Sequence, residues 1–234
     1  MKVTLLIPTL NEIEGMKRIM PCIHAEWVDQ ILIVDGGSKD GTIEYVEQQG
    51  LALVKQTKPG LRYAYIEAMD HVKGDIVITF SPDGNSIAEL IPALIEQMKQ
   101  GYDMVIVSRY LNEAKSFDDD IITRFGNWLF TTTINMLHGG NYTDAMVMFR
   151  AWKKNIFYDL DLDKDESYSF EEKTFFTKVG VEPLLSVRAA KRKLRCSEIP
   201  GDEPERIGGA RKLQIIRWGL AYMFEVLREI FMWK

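Results

Sequence analysis

Cysteine is scarce in this chain of 234 residues: Cys22 and Cys196 fit no metal-ligand spacing, so a cysteine-built metal site is excluded and both read as reduced thiols of a cytosolic protein. Long apolar runs are missing as well. No uninterrupted stretch approaches the roughly 20 residues that span a bilayer. Met1 leads straight into a strand pattern, so no signal peptide is expected. Basic excess is absent: the net charge is −5, which argues against nucleic-acid binding over the whole surface but leaves room for a local basic patch. Internal repeats and low-complexity segments are also absent. What is present is ordinary for a globular protein, with 46% hydrophobic and 27% charged residues, and suits one α/β domain with a modest extension.

The most informative stretch runs from Ile31 to Thr42, Ile-Leu-Ile-Val-Asp-Gly-Gly-Ser-Lys-Asp-Gly-Thr. Four apolar, mostly β-branched residues predict a strand buried on both faces, as in a parallel sheet. The strand stops at Asp35 and two glycines, and Asp40 or Thr42 is placed to cap the helical pattern that follows. Ligands of open α/β sheets bind at the carboxyl ends of strands, where Asp35 would accept hydrogen bonds from a base or a ribose. The plain alternative is a strand–turn–helix whose aspartate caps the helix.

Other strands end the same way. Residues 3–7 run into Pro8-Thr9-Leu10-Asn11-Glu12, residues 75–80 into Ser81-Pro82-Asp83-Gly84-Asn85, and residues 103–108 into Arg109-Tyr110. Strands punctuated by helices predict βαβ units. Polar residues at every strand end suit a nucleotide, a metal or a phosphate.

Taken in order, Ile-Pro-Thr-Leu-Asn-Glu, Val-Asp-Gly-Gly-Ser-Lys-Asp-Gly-Thr, Gly-Asp-Ile-Val-Ile-Thr-Phe-Ser-Pro-Asp and Ser-Arg-Tyr resemble the family 2 glycosyltransferases. Within that family the chain is most similar to the dolichyl- and polyprenyl-phosphate mannosyl- and glucosyltransferases, over about residues 1–217. The resemblance implies an α/β, GT-A-type (Rossmann-like) fold over residues 1–212, with a mostly parallel sheet flanked by helices; the residue pattern itself predicts an amphipathic C-terminal helix over residues 213–234. It implies nucleotide-sugar contacts from Pro8, Thr9, Asn11, Glu12, Asp35, Gly36, Arg62, Asp83, Arg206 and Lys212. Ser81-Pro82-Asp83 stands where the family has Asp-x-Asp, so Asp83 is the expected ligand of Mg²⁺ or Mn²⁺, and Ser81 replaces the first aspartate. Asn85 either completes that shell or serves the turn. Arg62 is a candidate diphosphate contact or a surface arginine.

On the acceptor side the resemblance assigns Arg109, Arg124 and Asp144. Residues 121–137 are rich in Ile, Phe, Trp and Leu, so this helix packs in the core or lies in lipid headgroups; Arg124 matches an arginine that meets the acceptor phosphate in relatives, and Trp128 replaces a family serine. Asn141 to Arg150 resembles an Asp-x-x-x-Gly-Phe-Arg block, with Val147 or Met148 in place of the small residue. There Asp144 would orient the acceptor, cap a helix or, for a hydroxyl acceptor, take its proton. Asp83, Asp144 and Arg206 are the expected catalytic residues, with Arg206 and Lys212 matching a loop that closes over the diphosphate.

Three further segments call for a reading. Asp161, Asp163, Asp165 and Glu172 mimic an EF-hand loop, but Glu166 stands where a glycine must turn, so a solvated acidic loop is expected. Residues 188–217 hold nine Lys or Arg against four Asp or Glu, a basic segment suited to a pyrophosphate, a lipid phosphate or an anionic membrane. The tail carries a polar stripe of Gln214, Arg217, Glu225 and Arg228 on an otherwise apolar helix that must meet protein or lipid.

The expected activity is inverting transfer of a sugar from a UDP- or GDP-sugar to a polyprenyl phosphate, with Mg²⁺ or Mn²⁺ and no nucleic-acid partner. The enzyme would be peripheral on the cytoplasmic face of a membrane, with homo-oligomerisation open. Transfer to a saccharide hydroxyl in polysaccharide assembly and a non-catalytic nucleotide-binding scaffold are the alternatives.

Overall fold

A computed structural model describes residues 1–208 and 215–233. Seven strands form one sheet: β1 (Val3–Thr9), β2 (Gln30–Asp35), β3 (Ala52–Lys55), β4 (Ile76–Thr79), β5 (Met104–Ser108), β6 (Arg150–Lys153) and β7 (Cys196–Pro200). Their order across the sheet is β3-β2-β1-β4-β6-β5-β7. Only β6 runs against its neighbours β4 and β5; every other pairing is parallel. The strands expected above are β1, β2, β4 and β5; β3, β6 and β7 complete the sheet, β3 as a short edge strand with no buried residue and β6 bounded by Arg150 and Lys153.

The helices are α1 (Ile13–Ile19), α2 (Thr42–Gln48), α3 (Leu61–Met69), α4 (Ile91–Lys99), α5 (Ile121–His138), α6 (Ile156–Asp159), α7 (Ser169–Phe175), α8 (Glu182–Lys191) and α9 (Ile215–Met232). Two apolar layers sandwich the sheet, and the strands feed them alternately. In β1, Leu5 and Ile7 face the layer shared with Met16 of α1 and Leu94 of α4, while Leu6 faces the layer shared with Ala64 of α3 and Leu184 of α8. α5 starts where Asp120 accepts the Thr123 amide at 2.8 Å and stops at left-handed Gly139.

α9 lies against α5, α7 and α8 with its polar side inward. Glu225 and Glu229 have no exposed surface, while Leu220, Leu227 and Phe231 face outward. Arg188 of α8 grips Glu229 through Nε and Nη2, each at 3.0 Å, and Arg228 meets Glu171 of α7. Glu225 and Arg228 of the polar stripe therefore face inward, and Arg228 ties the helix to the domain. Among the described residues no helix is long and apolar enough to cross a membrane.

The sheet topology decides where function can sit. The carboxyl ends of β1, β2, β4, β5 and β7 share one edge of the sheet, and the reversed β6 brings its starting end, and the loop of Asp144 before it, to that same edge.

Candidate active site

The first cluster begins where β1 and β2 end, with Thr9 and Asp35 opposite each other in register. Asp35 is buried and its carboxylate is fully used: Oδ1 accepts Gly37 N at 2.9 Å and Ser38 N at 2.7 Å, and Oδ2 accepts Thr9 Oγ1 at 2.8 Å and Ser38 Oγ at 2.6 Å. Four donors fill a carboxylate, so a ligand N–H would have to replace one of them. Asn11 ties the same turn from the other strand, donating its amide to Ser38 Oγ at 2.7 Å and accepting Lys39 N at 2.8 Å. Thr42 Oγ1 donates to Asp40 and accepts the Glu12 amide at 3.1 Å. Pro8, Thr9, Asn11, Glu12, Asp35 and Gly36 thus belong to one braced pair of turns.

Beyond β4 the chain turns at Asp83-Gly84-Asn85. Gly84 has φ +92°, and a side chain there would collide with Ile207. That clearance seats the segment following β7, hereafter the strap (residues 201–207). Arg206 Nη1 donates to Asp83 Oδ2 at 2.6 Å, Ile207 N to the Asp83 carbonyl at 2.6 Å, and Asn85 Nδ2 to the Pro204 carbonyl at 2.8 Å. Asn85 Oδ1 and Arg206 Nε are buried without a hydrogen-bond partner among the described residues. Asp83 and Asn85 lie together, and no group of three His, Cys, Asp or Glu side chains that could hold a metal occurs among the described residues.

A second cluster on the same edge centres on Arg109, just past β5. Its Nε meets Asp144 Oδ2 at 2.6 Å and its Nη2 meets Oδ1 at 3.0 Å. Nη1 donates to both oxygens of Glu203, at 3.2 and 3.1 Å, and Nη2 lies 3.5 Å from Asn127 Oδ1 on α5. Asp119 stands 3.8 Å from Nη1. Burial would raise the Asp144 carboxyl, but the Arg109 charge and its hydrogen bonds outweigh it and hold the group below the ordinary range. Burial wins at Glu203, which is pushed up despite Arg109 and Ser116.

Several expected residues lie elsewhere. Arg62 is not a surface arginine: its side chain is 2% exposed and its nitrogens meet Asp165 at 2.6 Å and Glu172 at 3.1 and 3.3 Å, so a diphosphate would have to displace these carboxylates. The acidic loop is corrected with it, because Asp165 and Glu172 are the counter-ions of Arg62 and Asp161 accepts Trp233 Nε1 at 3.0 Å. Arg188 is buried on Glu229, and Arg192, Lys193 and Arg195 precede the starting end of β7, away from the site edge. Of the basic segment, Arg206 is the described residue that reaches the site. Arg124 is exposed on the first turn of α5, three positions before Asn127. Lys212 lies outside the described residues.

Residues 4–161 match the family described as "Glycosyl transferase family 2", more than half of the chain. The chain belongs to glycosyl transferase family 2. It is 28% identical to glycosyltransferase AglJ of Haloferax volcanii over 97% of this chain and 71% of that protein. It is also 28% identical to undecaprenyl-phosphate mannosyltransferase of Micrococcus luteus, over 97% of this chain and 98% of the relative. Glucosyl-3-phosphoglycerate synthase from Mycobacterium tuberculosis, solved with Mn²⁺, uridine diphosphate and phosphoglyceric acid, superposes with a TM-score of 0.70 at 16% identity, over 99% of this chain and 79% of that one. The fold is the expected GT-A type.

In this family 2 glycosyltransferase the sequence pattern had no signal for Glu203, Asp119 and Asn127 around Arg109. Nor did it mark Glu198, which accepts Thr143 N at 2.9 Å, Thr143 Oγ1 at 2.7 Å and Asp144 N at 3.1 Å and so holds the Asp144 loop. Arg150, fully buried, props that loop from below through the carbonyls of Ala145 and Val147.

Proposed function

We propose that this glycosyltransferase moves a sugar, with inversion, from a nucleotide diphosphate-sugar to a polyprenyl phosphate at a membrane surface. One observation carries the reading: the Asp83 loop and Arg109 share one sheet edge, and Arg109 adjoins the first turns of an α5 whose outer face is apolar. Ile121 is 88% exposed, and Ile122, Phe125 and Trp128 follow it on that face. The similarity to a transferase named for undecaprenyl phosphate supports the same acceptor class.

The nucleotide would lie against the braced turns of Pro8, Thr9, Asn11, Glu12, Asp35 and Gly36. The Asp83 carboxylate and the orphaned Asn85 Oδ1 are hard oxygen donors that fit Mg²⁺ or Mn²⁺. Such an ion supplies charge neutralisation on the leaving diphosphate. Arg206, three residues beyond Glu203, would add a cation to the same oxygens, with Lys212 beside it in sequence. Arg109 and Arg124 would hold the acceptor phosphate in line for attack. That phosphate is ionised at neutral pH and needs no base, which suits an Asp144 already spent on Arg109. A saccharide hydroxyl would need Asp144 as base, and its burial argues against that alternative.

The exposed apolar faces of α5 and α9 would rest on the cytoplasmic leaflet. Lipid is favoured over a second copy of the chain because the α5 face begins beside the acceptor arginines. The direct test incubates the protein with radiolabelled nucleotide sugars, Mg²⁺ or Mn²⁺, and polyprenyl phosphate. Lipid-linked label is expected from one donor, and no transfer from any donor would refute the reading.

A further inference from the structure

Glu203 and Arg206 sit three residues apart on the strap, and each engages the opposite charge of a different substrate subsite. Glu203 lies on Arg109 and takes a hydrogen bond from Ser116, while Arg206 lies on Asp83. The strap between them is pinned at both ends. Glu203 N donates to the Lys115 carbonyl at 2.9 Å and Phe117 N to the Glu203 carbonyl at 2.8 Å; beyond it, Asn85 and Asp83 hold Pro204 and Ile207.

Resting on the reading that Arg109 faces the acceptor phosphate, we propose that Glu203 is a placeholder for that phosphate, and that the strap couples its departure to release of Arg206 from Asp83. Charge makes the first part necessary. Arg109 already contacts or adjoins three carboxylates, those of Asp144, Glu203 and Asp119. A phosphate cannot join one guanidinium and three carboxylates without strong repulsion at such low exposure. Asp144 is held at two nitrogens and its backbone is braced by Glu198, whereas the Glu203 side chain meets Arg109 through Nη1 alone, so Glu203 is the group that yields. Its departure also frees the Ser116 hydroxyl as a phosphate donor.

The second part follows from the unsatisfied groups. With the strap pinned, Arg206 Nε and Asn85 Oδ1, two opposite polar groups beside the same Asp83 turn, are buried without partners among the described residues. A diphosphate would satisfy the first and its accompanying cation the second. In this scheme Arg206 moves from Asp83 to the diphosphate, which leaves the Asp83 carboxylate to the cation. Because one short segment carries both placeholders, filling either subsite loosens the other, and the coupling is reciprocal.

The test uses the full chain, with farnesyl phosphate as a water-soluble acceptor and Mn²⁺ with UDP, and separately with GDP, as the donor-side probe read by the free-Mn²⁺ resonance signal. Glu203→Gln is expected to lower the KM for farnesyl phosphate about 5-fold or more while changing kcat far less, and to tighten Mn²⁺–nucleotide binding by a similar factor without any turnover. In the unsubstituted protein, farnesyl phosphate itself should tighten Mn²⁺–nucleotide binding, and Glu203→Gln should largely abolish that cross-effect. Ser116→Ala, which only loosens Glu203, should shift both quantities in the same direction by less. An unchanged or higher KM in both variants, or a lower KM with unmoved Mn²⁺–nucleotide binding, overturns the strap proposal while leaving the transferase reading intact. If the unsubstituted protein neither glycosylates farnesyl phosphate nor binds Mn²⁺ with either nucleotide, the transferase reading falls and takes the strap with it.

Discussion

Asp144 and Arg109 are locked edge to edge, two carboxylate oxygens against Nε and Nη2 at 2.6 and 3.0 Å, with no Asp144 surface left for solvent. A carboxylate so engaged is an orienting group for its arginine, and its depressed pKa makes it a poor proton acceptor.

Asp144→Asn should therefore lower kcat/KM by only about tenfold, ~1.4 kcal/mol, mostly through KM for the acceptor. Steady-state kinetics with a polyprenyl phosphate check this, and near-total loss of kcat would restore the base role. The pH signature follows from the same pair. The folded pKa lies below the unfolded one, so the pair stabilises the protein at pH above about 4 and that contribution is lost as pH falls further.

Arg62 holds α3 to the Asp165–Glu172 segment from a buried position. Arg62→Ala leaves Glu172, itself 8% exposed, without its main partner. Breaking such a pair costs about 3 kcal/mol, so Tm should fall by roughly 6–12 °C. The KM for the nucleotide sugar should stay within about twofold, ~0.4 kcal/mol, once the protein is assayed well below its melting point. A large rise in that KM would return Arg62 to the diphosphate.

Asp83→Ala removes the carboxylate that anchors Arg206 and, on the proposed reading, would hold the cation. Transfer should fall by about 10³, ~4 kcal/mol, in radiolabel assays. A chelator should reduce the unsubstituted enzyme comparably, with recovery on adding Mg²⁺ or Mn²⁺. Activity that survives chelation would separate Asp83 from any metal.

Glu225 is buried in α9 without a hydrogen-bond partner among the described residues, near Glu171, Glu229, Arg228, Arg188 and Tyr168. Burial, then Glu171, push its carboxyl well above the ordinary value of 4.5. Above that value the folded chain binds more protons than the unfolded one, so this group makes stability fall as pH rises. Glu225→Gln removes the penalty. Its Tm relative to the unsubstituted protein should climb from about pH 5 to about pH 8, and a constant difference in a thermal-shift series would contradict the assignment.

On α5, Ile122→Ser with Phe125→Ser withdraws two apolar side chains that are more than half exposed. If they enter lipid, each contributes about 1.5–3 kcal/mol, so binding to anionic vesicles should weaken at least tenfold in co-sedimentation. Turnover of a short, soluble acceptor should be spared. Unaltered vesicle binding would point to a second copy of the chain or another partner on that face.

Much of this architecture is legible in the residues. β1, β2, β4 and β5 are apolar runs that stop at polar turns, and Pro8-Thr9, Asp35, Asp83 and Arg109 mark the strand ends. What escaped depends on pairing across the chain. β6 was hidden because a fully buried Arg150 opens it, satisfied by carbonyls and by Ser186. Arg62 looked like a loop cation because its partners lie in a distant acidic segment. The polar stripe of α9 was visible but not the direction it faces, because Arg188 and Glu171, which supply matching charges inside, lie on other helices. No local period reports that direction.

The enclosure of α9 bears on how the protein can be handled. Lys191 reaches the carbonyls of Glu229 and Trp233, and the Trp233 ring lies under Arg188 and Arg192. A catalytic fragment trimmed after residue 212, where the residue pattern invites a cut, would strip Glu229 from Arg188 and open the cover over α8. Fusions and immobilisation tags therefore must not interrupt α9, which serves as a wall of the enzyme.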